Sequence, residues 1–213
     1  VLCDSRGVVR SDRTDLNDMK RKHAVDSTAT TVGELMKDAH VFVGVSVADC
    51  IRPQDILAMA SYPAIFAMAN PVPEILPERV AEVMGDRPYV MATGRSDYPN
   101  QVNNVLGFPF LFRGALQVGA HAIDTPMKVA AADALARVAR EPVPDHVSRI
   151  YAGEQLGFGP GYVIPKPFDR RLFVEVSWAV AKAAVESGAA PATDVDACRR
   201  DLEERNKTRA LAK

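Results

Sequence analysis

Between Thr93 and Leu116 the chain reads "TGRSDYPNQVNNVLGFPFLFRGAL", a stretch that concentrates uncharged amides: Asn100, Gln101, Asn103 and Asn104. A carboxamide donates through its NH2 and accepts through its oxygen, so one side chain can meet a carboxylate and a hydroxyl. It does so without a charge that must be desolvated in a closed site. Asn103 and Asn104 stand where a helix is expected to open, and there free N–H groups and the helix dipole favour an anion. An asparagine in that place also serves as a plain cap, but several amides after a glycine ask for more than one cap. Asn70, which ends a separate apolar run before Pro71, carries the same chemistry, with an Asn-Pro turn as its alternative.

Other reactive groups form no set. There is no serine elbow, no Cys/His pairing and no cluster of carboxylates at metal spacing. His23, His40, His121 and His146 lack the short paired spacing of a zinc site. Cys3, Cys50 and Cys198 are far apart, which fits reduced thiols in a cytoplasmic protein. Tyr98 and Lys128 could act as a pair, but no spacing brings them together. The glycine run "GFGPG", Gly157 to Gly161, contains Pro160 and is followed by "YVIPKP" where a helix would have to open. A phosphate cradle needs that helix N-terminus, so this segment reads as an ordinary loop.

The elements that must position these residues follow from the apolar pattern. "VLCD", "HVFVGVS", "AIFAMANP" and "YVMATG" are short runs apolar throughout. Between them "TVGELMKDA", "RPQDILAMAS" and "PERVAEVMG" show helical spacing, with Pro53 and Pro77 where a first turn tolerates proline. That alternation predicts an α/β fold, a doubly wound, Rossmann-like parallel sheet with its first βαβ unit incomplete. C-terminal helices follow, with a break expected near Gly107 and Pro109. In such sheets ligands bind beyond the carboxyl ends of the strands. The residues there are Asp4, Ser5 and Arg6; Gly44, Val45 and Ser46; Asn70; and Gly94. At the end of a second strand, an acid such as Asp4 would bond ribose hydroxyls, whereas Arg6 would meet a ribose phosphate, so NAD and NADP both stay open. A simple turn at Asp-Ser-Arg-Gly is the alternative.

The totals bound the rest. The 213 residues are 47% hydrophobic and 25% charged, with a net charge of −1, which is an ordinary globular composition. No basic excess points to nucleic acid or an anionic membrane, and no run is long and apolar enough for a span. Residues 1–188 read as the nucleotide-binding domain and 189–213 as a charged linker helix toward a further domain. Val1 lies inside a strand-like run, so the chain is expected to be a piece of a longer protein.

"GVSVADCI", "AMANPVPEI", "ATGRSDYPNQVNNVLGFPFLFRGAL" and "IPKPFD" resemble the cofactor-binding half of bacterial malic enzymes over nearly the whole chain. The tail resembles the hybrid forms, in which a phosphate-acetyltransferase-like domain follows. The resemblance implies oxidative decarboxylation of malate to pyruvate and CO2 with reduction of NADP (or NAD), assisted by Mg²⁺ or Mn²⁺. It assigns malate contacts to Asn70, Asn103 and Asn104, with Asn103 the first choice. It sets Gly44, Val45, Ser46 and Asn70 at the dinucleotide and Asp4 on its ribose side, and the strand-end positions of Ser5, Arg6 and Gly94 add them to the expected cofactor site. The family's catalytic tyrosine and lysine, its metal-binding acids and its glycine fingerprint belong to a part this chain lacks. The expected partners are therefore malate, the missing N-terminal catalytic domain and further copies in a homo-oligomer. The fragment is expected to be inactive alone and prone to self-association. A stand-alone nucleotide-binding or regulatory module, or a nonfunctional truncated product, are the rival readings.

Overall fold

The computed structural model describes residues 1–151, 154 and 156–211. Gln155 of the expected glycine- and proline-rich loop, and residues 212 and 213 of the expected linker helix, lie outside them. The chain forms two compact units, Val1–Tyr98 and Pro99–Lys213.

In the first unit the expected α/β alternation is present. Strands β3 (Val41–Gly44), β4 (Ala64–Ala67) and β5 (Val90–Thr93) form one parallel sheet in the order β3-β4-β5. Helices α2 (Val32–Met36), α3 (Pro53–Leu57) and α4 (Pro77–Met84) punctuate them, and Pro53 and Pro77 each open a helix. Proline fits there because the first turn has no intrahelical acceptor for its missing N–H. Helix α2 begins in a capping box, with the Thr31 hydroxyl accepting from the Glu34 amide and the Glu34 carboxylate accepting from the Thr31 amide. Ile65, Ala67, Ile56, Met59, Ile75, Val80 and Met84 form the core of this unit, and one face of the central strand β4, Ile65 and Ala67, is fully buried in it. Strand β3 is an edge of the three-stranded sheet, and its Val41 and Val43 are exposed.

The segment "VLCD" departs from expectation. It is not a strand of the parallel sheet. Strand β1 (Cys3–Asp4) pairs antiparallel with β2 (Gly7–Val8), Cys3 opposite Val8 and Asp4 opposite Gly7. The turn is made by Gly7 at φ +101° and by the Asp4 carboxylate, which accepts from the Arg6 amide at 2.9 Å. A side chain at Gly7 would collide with the Thr30 carbonyl oxygen 2.2 Å away. The turn that Asp-Ser-Arg-Gly favours is formed, and α1 (Asp18–Arg21) follows it.

The second unit is helical. A short 3₁₀ turn, Asn104–Leu106, precedes α5 (Phe108–Gln117), and the expected break falls at Gly107. Helices α6 (Thr125–Arg140), α7 (Asp145–Ile150), α8 (Arg171–Glu186) and α9 (Val195–Leu211) complete it. Helix α8 packs against α5, α6 and α9. Gly114 lets α5 approach closely, since a Cβ there would lie 2.4 Å from the Ser177 carbonyl oxygen of α8. Helix α9, expected as a sparse linker, buries Leu202 and Cys198 and bonds to α8 through Arg199 and Glu175 at 2.6 Å.

Candidate functional site

The register of the parallel sheet sets the geometry of the site. Gly44 lies opposite Ala67, and Ala67 opposite Thr93, so the three strands end level. Their loops leave from one rim, and this brings together Gly44, Val45 and Ser46 after β3, Asn70 after β4, and Gly94 after β5. Val45, Ser46 and Asn70 are exposed, Gly94 is half-buried, and Gly44 is buried. The Asn70 carboxamide leans on Gly94: a Cβ there would lie 3.0 Å from Asn70 Oδ1 and 3.1 Å from Nδ2. Nδ2 donates to the Met68 carbonyl at 3.3 Å. The Asn70-Pro71 peptide bond is cis.

One residue of the rim was not found by sequence reasoning. Glu74 is completely buried. Its Oε1 accepts from the Ser46 amide at 2.7 Å and its Oε2 from the Ala69 amide at 3.0 Å. The carboxylate occupies the space a side chain at Gly44 would need, with Cδ 2.4 Å from an ideal Cβ there. This is the local reason for glycine at the end of β3. A buried polar group of this kind gives no periodic signal. Its partners are backbone amides 28 and 5 residues away.

Asp4, Ser5 and Arg6 sit in the separate N-terminal hairpin rather than on the parallel sheet. Asp4 is held by Arg13 Nη1 and Nη2 at 3.0 and 3.1 Å and by Lys20 Nζ at 2.6 Å. Those two cations, Arg13 first, push its carboxyl well below the ordinary carboxylate range. Arg6 pairs with Asp15 at 2.8 Å, and Arg13 reaches the same carboxylate, which is also driven down.

In the second unit the amide-rich stretch divides its labour. Asn100, at φ 54° and buried, donates from Nδ2 to the Pro160 carbonyl and accepts at Oδ1 from the Val163 amide, both at 2.7 Å. It latches the glycine- and proline-rich loop. Asn103 caps the 3₁₀ turn, its Oδ1 accepting from the Val105 amide at 3.0 Å. Its cap therefore occupies the oxygen and leaves the NH2 end as a donor. Asn104 is exposed. In the first unit, the Tyr98 hydroxyl donates to Glu78 at 2.6 Å. Among the described residues no three His, Cys, Asp or Glu side chains converge as a metal set. No described helix is long and apolar enough to cross a membrane.

A parallel α/β unit with small and amide residues at the carboxyl ends of its strands is a domain of the dinucleotide-binding class. Residues 1–152 match the family described as malic enzyme, NAD binding domain. The chain belongs to the malic enzyme family. It is 50% identical over 208 residues to an NADP-dependent malic enzyme of Rhizobium meliloti, covering 96% of this chain and 27% of that protein. It is 47% identical over 197 residues to an NAD-dependent malic enzyme of the same organism, covering 91% and 25%. The crystal structure of Entamoeba histolytica malic enzyme superposes with a TM-score of 0.78 at 30% identity, covering 98% of this chain and 43% of that one. The chain thus spans about a quarter of these two bacterial relatives and under half of the solved structure.

Proposed function

We propose that this chain is the cofactor- and substrate-binding portion of an NADP-linked malic enzyme. The whole protein oxidises and decarboxylates malate to pyruvate and CO2 while NADP is reduced. The observation that carries this reading is the level rim, where Gly44, Ser46, Asn70 and Gly94 meet at the carboxyl ends of adjacent parallel strands. A nucleotide fits such a rim because Ser46 and Asn70 offer a hydroxyl and an amide to solvent there. The Asn103 NH2 is the donor for a malate carboxylate, with Asn104 beside it and Asn70 serving cofactor and substrate alike. Asp4, Ser5 and Arg6 are the ribose-side residues, and engaging a ligand there requires Asp4 or Arg6 to exchange part of its ion pairing. The proton-transfer groups and the metal ligands belong to another part of the protein, and residues 189–213 lead toward a further domain.

Two experiments test this. The 213-residue chain, supplied with malate, NADP and Mn²⁺, should show no malate-dependent absorbance change at the NADPH band. Turnover would refute the division of labour. In the longer enzyme that carries this chain, Asn103→Asp keeps an acceptor for the Val105 cap but replaces the donor with a negative charge. Malate KM should rise by roughly 10- to 100-fold, the equivalent of about 1.5–3 kcal/mol for a hydrogen bond to a charged group. Unchanged kinetics would remove Asn103 from the site.

A further inference from the structure

Two backbone amides at the nucleotide rim are held by one buried carboxylate. The parallel ladder between β3 and β4 continues one step past the strands, where the Met68 amide donates to the Gly44 carbonyl at 3.1 Å. Past that point the Ser46 and Ala69 amides donate to a side chain instead of to a strand carbonyl. Glu74 supplies one oxygen for each amide. Its own segment is tied back, since the Glu74 carbonyl accepts from the Ile51 amide at 3.1 Å and the Pro73 carbonyl from the Asp49 amide at 3.2 Å. Among the described residues no lysine or arginine forms an ion pair with this carboxylate. Burying a carboxylate without a countercharge costs stability unless its oxygens are well bonded. A position retained on those terms is expected to earn its cost through the placement of what it holds.

We propose that Glu74 is a positioning residue for nucleotide binding, fixing the loops after β3 and β4 so that Ser46 and Asn70 face the ligand. The carboxylate suits this role because it is acceptor-only: both oxygens can receive an N–H, and neither orientation is wrong. Glutamine has the same shape but must turn its NH2 toward one of the two amides. Ala69 immediately precedes Asn70, so freeing the Ala69 amide frees the carboxamide that leans on Gly94. The inference rests on the nucleotide reading above.

The test uses the longer enzyme that carries this chain, its Glu74→Gln variant and, as control, Glu82→Gln on the exposed face of α4. Amide hydrogen exchange is followed at Ser46, Ala69 and the strands, and NADPH is titrated by its fluorescence. Glu74→Gln should speed exchange roughly 10- to 100-fold at one of the two amides, as expected for one lost charge-assisted bond. Exchange within β4 and β5 should keep its wild-type rate, and NADPH affinity should fall about tenfold or more. The control should match wild type in both. Wild-type protection at both amides in Glu74→Gln, or wild-type NADPH affinity, overturns the proposal. So does faster exchange across the whole sheet, which would make Glu74 a general stabiliser instead. A wild-type enzyme that does not bind NADPH overturns the nucleotide reading itself, a result visible before any variant is made.

Discussion

The rim loops and the N-terminal hairpin are both polar turns organised by acidic side chains, and they are built in opposite ways. At the rim, Glu74 is removed from water and receives only backbone amides. In the hairpin, Asp4 and Asp15 share Arg13 and also take Lys20 and Arg6, with side-chain exposures from 13% for Asp4 to 70% for Arg6. A buried acceptor that loses its donor leaves a full desolvation penalty, whereas exposed ion pairs are screened and contribute little each. The rim is therefore fixed by groups that salt cannot reach, and the hairpin by a network that runs from the mostly buried Asp4–Arg13 pair out to the exposed Arg6, where partners can exchange. The second arrangement is the suitable one where a ligand must compete for an arginine or an aspartate.

Substitution at the rim should have the largest effect. Gly44→Ala forces a methyl group into the Glu74 carboxylate, 2.4 Å from its carbon, and should lower the unfolding free energy by about 3 kcal/mol in a denaturant titration. A loss under half of that would mean the clamp yields easily and the contrast with the hairpin is weak. Next comes Asn100→Ala, which removes two hydrogen bonds and places alanine at a left-handed φ of 54°. It should cost about 2 kcal/mol and loosen exchange around Val163, an outcome showing that buried amide latches behave like the buried carboxylate. The smallest effect belongs to the hairpin. Arg6→Gln, which removes the most exposed member of the network, should give a modest loss at low salt that fades near 1 M salt, where the screening length falls to about 3 Å.

Acid sharpens the same contrast. The folded-state carboxyls of Asp4 and Asp15 are held below their ordinary value of 3.8. Their contribution is present above that value and is lost as pH falls toward the lowered ones. Hairpin resonances followed by NMR as the pH is lowered below the ordinary carboxylate value should report this loss, and Asp4→Asn should flatten the response. A hairpin indifferent to acid and to salt alike would erase the distinction.

What could be read in advance follows the same division between periodic and non-periodic signals. Strands β3, β4 and β5 were legible because uninterrupted apolar runs between helical segments leave few alternatives. "VLCD" carried the same composition but no information about its partner, and four residues cannot distinguish a parallel strand from one arm of a hairpin. The burial of α9 could have been found, since Val195, Cys198 and Leu202 recur at intervals of three and four along one face. Glu74 could not: a charged residue between apolar ones looks like a surface position, and its two amides are distant in sequence. Among the asparagines, type alone did not separate Asn100, which ties a loop, from Asn103, which caps a turn and keeps a free donor.

The interlock at the end of β3 also constrains descent. Because the glycine's missing side chain is the volume the acid fills, neither position can drift alone. A lineage that acquires a methyl group at 44 must shorten or discard the acid at 74, and one that loses the acid leaves a void beside a residue free to grow. Positions 44 and 74 should therefore change as a couple or not at all, thirty residues apart on the chain and inherited as one.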